Sequence, residues 1–280
     1  MPSHISALRR SGRGAGINLR RQSIGTPRRP GGKRRDYKGE FRHRIDEIAD
    51  GIYRISTPVT VIPGGFTFNQ YLITDDEPLL FHTGLRRMFP LVSEAIRAVM
   101  PVERLRHISF SHYEADECGA LNEFLSVAPN AVPLCGEVAA MVSVADVADR
   151  APRAMDDGEV ISLGRHRVRW FATPHLPHAW ECRHLMEETT RLLFCGDLFT
   201  QGGAEHPPLT EADILEPSEA SRRQMDDYSH TKNAPGMIER LAEARPTTLA
   251  CMHGSAWRGD GAQLLRALGE RLERPLDMPA

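Results

Sequence analysis

Four apolar segments of the sequence each lead into side chains that bind metals or carry protons. In chain order these candidates are His112, Glu114, Asp116 and Glu117 after "LRHISF", His175 and His178 after "RWFATP", Asp197 after "LLFCG", and His253 after "TTLACM". A sheet fixes the backbone at the end of a strand and leaves the next side chains free to converge. The pattern is therefore typical of a binding site built from several strand ends.

These side chains supply enough donor atoms for two metal ions. Two or three imidazoles with three or four carboxylates can hold a dinuclear centre, and Asp197 can bridge two ions through its two oxygens. Structural zinc prefers Cys and His, whereas a carboxylate-rich set suits a harder, redox-active ion. Composition therefore favours iron over zinc or manganese. Taken singly, each residue also has an ordinary interpretation, such as an acidic surface loop around His112 or a turn at Asp197.

Two similar runs of secondary structure must position these residues. Short strands with an antiparallel start are predicted over 51–82, followed by helical and strand patterns up to 147. A second set of strands is predicted over 160–196, then helices over 218–245, and finally a strand at 247–252 with a closing helix. This duplication predicts an α/β fold in which two sheets pack face to face with helices outside.

The ordered motifs resemble the metallo-β-lactamase superfamily. The usual loop motif of that superfamily is HxHxDH, and this chain has HxExD at His112, Glu114 and Asp116 instead. Glutamate at the second position is similar to the di-iron branch, which comprises flavodiiron cores and oxygen-binding di-iron proteins. "HLP" after "TP", "CGDLF" and "CMHG" are similar to that branch too. The resemblance covers residues 45–280 and implies a four-layer αβ/βα sandwich, the metallo-β-lactamase fold.

The resemblance also implies a distribution of ligands over two ions. It assigns His112, Glu114 and His175 to the first metal, Asp116 and His253 to the second, and Asp197 to both. Two positions depart from the family pattern. Glu117 stands where a histidine is common, and it either completes the ligand set of the second metal or is a solvated neighbour. His82 stands where an aspartate is common, and it either orients a ligand or is simply packed in the core.

The leading functional hypothesis is a dinuclear, di-iron protein that binds or reduces dioxygen or nitric oxide. Only 27 residues follow His253, too few for a flavin domain, so we expect either an external electron-transfer protein as donor or a role as an oxygen-binding sensor. The alternative is a metal-dependent hydrolase in which a metal-bound hydroxide attacks an ester, lactone, thioester or phosphodiester. Asp116 or His178 would then accept or donate protons. A proton-donor role for His178 competes with no role at all.

Charge and composition restrict the partners and the location. Residues 1–44 hold 13 Lys or Arg against 2 acidic residues, which predicts a disordered basic tail. The remaining chain carries a net charge of −13 that would repel phosphates, so nucleic acid is not an expected partner. No apolar run approaches the ~20 residues that a bilayer span needs. Five scattered cysteines without a CxxC pair fit a reducing cytoplasm, and a homo-oligomer is expected.

Overall fold

The computed structural model describes residues 43–274, and within them the chain forms two seven-stranded sheets. The first sheet contains β1 (Arg44–Ala49), β2 (Ile52–Val59), β3 (Phe66–Ile73), β4 (Leu79–Phe81), β5 (His107–Ser109), β6 (Val132–Gly136) and β7 (Arg153–Met155), in that spatial order. The second contains β8 (Val160–Ser162), β9 (Arg167–Ala172), β10 (Arg183–Glu187), β11 (Leu192–Gly196), β12 (Leu209–Thr210), β13 (Thr248–Cys251) and β14 (Ala256–Arg258), in the spatial order β12-β14-β13-β11-β10-β9-β8.

Eight α-helices lie within the described residues. They are α1 (Phe89–Arg97), α2 (Ala115–Cys118), α3 (Leu121–Val127), α4 (Glu137–Ala139), α5 (Ala145–Val147), α6 (Leu215–Met225), α7 (Ala234–Glu243) and α8 (Gly261–Leu272), with a π-helical stretch at Ala140–Val144 between α4 and α5. None of the helices between residues 43 and 274 combines the length and apolar character needed to cross a bilayer.

Alternation of apolar side chains along the strands produces the layers. On β4, Leu79 and Phe81 pack between the two sheets, whereas Leu80 faces the helices of the first sheet. On β11, Phe194 lies in the central layer and Leu193 packs with the helices of the second sheet. Because both faces of each sheet are buried, the chain forms a four-layer αβ/βα sandwich. The predicted fold class is confirmed.

Strand direction determines where the ligand candidates can meet. The strands β2, β3 and β4 are antiparallel neighbours, as predicted, and β1 pairs with β2 in the same way. In contrast, β4 pairs with β5 in parallel and β11 pairs with β13 in parallel. Parallel neighbours end at the same edge of a sheet. His82 and His112 therefore follow adjacent strand ends of the first sheet, while Asp197 and His253 follow adjacent strand ends of the second.

Some elements differ from the expectation. The helix predicted over 218–228 spans Leu215–Met225, and the strands β1, β7, β12 and β14 have no counterpart in the pattern of alternating residues. These four strands are short or weakly apolar, so pairing with a neighbour rather than their own composition defines them. The predicted basic tail at 1–44 lies almost entirely outside the described residues.

Polar side chains of the first sheet hold the chain segment that follows β13. Arg54 donates from Nη2 to the carbonyl oxygen of Gly254 at 2.7 Å, and Asn69 donates from Nδ2 to the carbonyl oxygens of Cys251 and Gly254, both at 2.9 Å. The Tyr71 hydroxyl donates to the Cys251 carbonyl at 2.6 Å. All three side chains are fully buried, so these bonds satisfy carbonyl groups that no water reaches.

We predict that Tyr71→Phe lowers the free energy of unfolding by about 1 kcal/mol, because the Cys251 carbonyl loses one of its two side-chain donors. Urea denaturation followed by circular dichroism measures the change. Tyr53→Phe is the matched control, since the Tyr53 hydroxyl has no hydrogen-bond partner within residues 43–274 and is partly exposed. Equal losses in the two variants would contradict this role for the Tyr71 hydroxyl.

Candidate metal centre

Two groups of ligand-type side chains converge at the strand ends between the sheets. The first consists of His112, Glu114, His178 and Asp197, and the second consists of Asp116, Glu117 and His253. Within each group the potential ligand atoms all lie within 4.8 Å of one another. The loop after β5 supplies four of the seven residues because the short helix α2 turns Asp116 and Glu117 towards the second group. The structure thus brings together seven of the eight predicted candidates.

The first group is a close cluster around the Nε2 atom of His112. This atom lies 2.9 Å from His178 Nε2, 3.0 Å from Glu114 Oε2 and 3.5 Å from Asp197 Oδ2. His178 Nε2 is also 3.3 Å from both carboxylates. Two imidazole nitrogens that face each other among carboxylates are arranged like the donor atoms of a cation site rather than like the partners of a salt bridge.

Asp197 connects the two groups through its separate oxygens. Its Oδ1 lies 3.2 Å from His253 Nε2, while its Oδ2 faces His112 and His178. His253 Nε2 is in turn 3.5 Å from Asp116 Oδ2. Asp197 reaches this position because the preceding Gly196 has a φ of +50° and any Cβ there would lie 2.8 Å from the Ser111 Cβ. One carboxylate is thus placed to bridge two cations.

The structure differs from the sequence-based expectation for His175. Its side chain is exposed and belongs to neither group, whereas His178 occupies the place that His175 was expected to fill. The backbone turns at His175, which has a φ of +65° and donates from its N–H to the Ala179 carbonyl at 2.8 Å. Leu176 is buried against the second sheet, and the turn around it carries His178 back to the centre.

Each of the three histidines in the two groups, His112, His178 and His253, has a protein group within hydrogen-bond distance of its Nδ1 atom. His178 Nδ1 lies 2.8 Å from the Asp227 carbonyl oxygen, and His253 Nδ1 lies 2.7 Å from the Thr67 carbonyl oxygen. A carbonyl only accepts, so both Nδ1 atoms carry the proton and both Nε2 atoms can present a lone pair to a metal. Sequence reasoning missed Thr67 and Asp227, because nothing in their local sequence marks them.

His112 is fixed by a chain of bonds that begins at His82. The Ser111 backbone N–H donates to His82 Nε2 at 3.3 Å, so this nitrogen is an acceptor. The Ser111 hydroxyl, 3.1 Å away, must therefore donate to His82 and can accept the proton on His112 Nδ1 at 3.0 Å. Burial lowers the pKa of His82 to about 3, which keeps it neutral. Of the two roles considered for His82, the structure favours orientation of a ligand.

The electrostatics of the metal-free centre are unfavourable. Glu117 is fully buried, and neither of its carboxylate oxygens has a hydrogen-bond partner among residues 43–274. Burial, together with the charges of Asp197 and Asp116, raises the pKa of Glu117 well above its usual value. Burial would lower the pKa of His178, but hydrogen bonds to Asp197 and Glu114 raise it to about 10. The carboxylates therefore compete for positive charge, and a proton on His178 supplies part of it.

The fold and these two clusters define the class: an α/β protein of the metallo-β-lactamase fold with the residues for a two-metal site. The model for the family described as "ODP family beta lactamase" matches residues 66–254, which is more than half of the chain. The chain belongs to this family, and the resemblance predicted from its motifs is confirmed.

Several of the relatives are named as flavoproteins, oxidoreductases or flavodiiron proteins. The rubredoxin-oxygen oxidoreductase of Megalodesulfovibrio gigas is 24% identical over 71% of this chain and 51% of its own length, and the diflavin flavoprotein A 2 of Nostoc sp. is 24% identical over 64% and 31%. Among solved structures, the metal-soaked Flv1 flavodiiron core from Synechocystis superposes with a TM-score of 0.70 at 21% identity, covering 83% of this chain and 61% of that one. The chain thus spans about a third to a half of these curated relatives.

We predict that the chelator-treated protein loses stability as the pH rises from about 4.5, and that Glu117→Gln reduces this loss. A carboxyl group whose pKa is higher in the folded state than in the unfolded state contributes stability at acidic pH. That contribution disappears as the pH rises towards the folded-state pKa.

Urea denaturation of metal-free wild type and Glu117→Gln at pH 5 and pH 8 measures the effect. Glu123→Gln is the control, because Glu123 lies at the surface beside Arg86 and away from the centre. A steeper pH dependence in Glu117→Gln than in wild type would contradict the repulsion described here.

Proposed function

We propose that the two groups hold two iron ions and that the protein binds or reduces dioxygen or nitric oxide with electrons from an external donor. The observation that carries this proposal is the placement of Asp197 between the groups, with one oxygen towards His253 and the other towards His112 and His178. That arrangement suits a carboxylate shared by two cations.

The donor set fits iron better than zinc. Three imidazoles and four carboxylates converge, and the groups include no cysteine. The unpartnered buried oxygens of Glu117, and Oδ1 of Asp197, are the kind of atoms that a cation would satisfy. When bound, two irons would supply the electron transfer and open coordination positions that a diatomic molecule needs, which redox-inert zinc does not.

Side-chain exposure separates residues that would hold the ions from residues at the side where substrate would enter. Glu114 and His178 have side chains 54% and 25% exposed, whereas those of His112, Glu117 and Asp197 are at most 8% exposed. A small molecule therefore reaches the centre on the side of Glu114 and His178. The protein groups at Nδ1 keep the three imidazoles in one orientation while substrate and product exchange.

The names of the relatives support redox chemistry over the hydrolase alternative. The Megalodesulfovibrio gigas protein is named a rubredoxin-oxygen oxidoreductase, and the Nostoc and Synechocystis relatives are named as a diflavin flavoprotein and a flavodiiron core. By analogy, a small electron-transfer protein is the donor that we propose here. A homo-oligomer in the cytoplasm remains part of the same proposal.

The first test is metal identity and stoichiometry, measured by elemental mass spectrometry on full-length protein expressed with iron and zinc both available. We expect about two irons per chain in wild type. His178→Ala should lose much of this iron, because it removes a donor that contacts three others. His175→Ala, three residues away and exposed, is the matched control and should keep wild-type iron. Two zincs per chain, or iron loss in His175→Ala instead, would contradict this assignment.

The second test is reactivity. The iron-loaded, chemically reduced protein should consume dioxygen or nitric oxide in an electrode assay, with no more than background turnover of a panel of esters, lactones and thioesters. Asp197→Asn should abolish the consumption by removing the shared carboxylate charge, with the surface variant Asp213→Asn as its control. Hydrolysis of the panel without any reaction with either gas would establish the hydrolase alternative.

A further inference from the structure

A cavity of about 370 Å³ lies behind the loop that carries His178 and outside both metal-ligand groups. Its wall includes His175, Leu176 and Pro177 of that loop, the segment that follows α6, the start of α7 and the end of α8. His178 itself points the other way, towards the metal centre. The cavity is therefore a separate site on the opposite side of the same loop.

The wall of this cavity is basic, although the body of the protein is acidic. Three permanently charged side chains line it, namely Arg222, Lys232 and Arg274, against one acidic side chain, Glu273. His175 and His230 also line it, and His230 Nε2 lies 2.7 Å from Asp226 Oδ1. Within residues 43–274, no carboxylate lies within 4 Å of the Lys232 ammonium group. An excess of positive charge at this wall, on a chain whose residues 45–280 carry a net charge of −13, favours an anion as ligand.

Arg222 gives this basic pocket a rigid anchor. The side chain is 94% buried and is held by Glu219, which accepts from Nε at 2.9 Å and from Nη2 at 2.6 Å. A guanidinium has five N–H donors, so this pair leaves the Nη1 donors for another acceptor. Arg222 also lies 5.8 Å from the centroid of the Tyr228 ring, which further fixes its plane.

The backbone and the apolar part of the wall define the ligand more closely. Helix α7 is ten residues long and starts at Ala234, which lines the pocket, so the positive end of the helix dipole lies at this wall. Leu176, Pro177 and Leu272 provide an apolar side. The volume falls within the range of small-molecule sites and exceeds what one phosphate group would fill. We propose that this pocket binds a small organic phosphate, with the phosphate near Arg222 and Lys232 and the organic part against the apolar side.

Two hydrogen bonds connect the pocket to the metal centre. The Ser229 N–H donates to the Pro177 carbonyl at 2.8 Å, and the Asp227 carbonyl accepts from His178 Nδ1 at 2.8 Å. The Ser229 hydroxyl also donates to the His175 carbonyl. A ligand that bridges these two loops therefore contacts the segments that orient His178, although binding itself does not require a metal.

Isothermal titration calorimetry on the full chain tests the proposal with four probes: adenosine 5′-monophosphate, phenyl phosphate, inorganic phosphate and adenosine. We expect the two organic phosphates to bind more tightly than inorganic phosphate, and adenosine not to bind. Lys232→Glu, an exposed position, should weaken the organic phosphates by about tenfold or more. Arg87→Glu makes the same type of change on an exposed residue outside the pocket and should leave binding unchanged.

Two outcomes would overturn the proposal. The first is that none of the three phosphate probes binds with a Kd tighter than about 1 mM. The second is binding that survives Lys232→Glu but disappears in His178→Ala or after treatment with a chelator, which would place the phosphate at the metal centre instead. Tighter binding of inorganic phosphate than of either organic phosphate would assign the pocket to the free anion and contradict a role for the apolar side.

Discussion

The rest of the structure depends on the concentration of negative charge between the two sheets. Four carboxylates and three imidazoles meet there, and Asp197 and Glu117 are almost inaccessible to water. Burial of one ionised carboxylate is costly, and burial of several together is tolerable only when positive charge compensates them. The pKa of Glu117 is raised and that of Asp197 is lowered, because the histidines compensate the negative charge of Asp197 better than that of Glu117. A pair of cations would satisfy the whole set.

The two sheets are organised to hold such a cluster. Parallel pairing of β4 with β5 and of β11 with β13 brings four strand ends to the same region. Around them, the polar bonds from Arg54, Asn69 and Tyr71 of the first sheet tie down the segment that carries His253 from the second. Thus the first sheet positions a ligand candidate of the second, and the site exists only when the sandwich is assembled.

The surroundings of the histidines distinguish this chain from the usual superfamily pattern. His82 stands where an aspartate is common, and it acts as a neutral acceptor at the end of a chain through Ser111 to His112. An aspartate there would add a further negative charge beside a centre that already contains four. Glu117, where a histidine is common, adds a carboxylate instead of an imidazole, which makes the donor set harder.

The sequence by itself determined the fold class and most of the candidate ligands. Residues 79–81 are apolar at every position, which requires both faces of the strand to be buried, and the candidates follow such strands in an order that few folds share. Only the tertiary structure brings His178 rather than His175 into the cluster, because this depends on a turn around the buried Leu176 that local sequence does not specify. It also decided the roles of His82, Thr67 and Asp227, whose partners lie 29, 186 and 49 residues away along the chain. Such contacts depend on the packing of distant segments, so the physical information that defines them is absent from any single stretch of sequence.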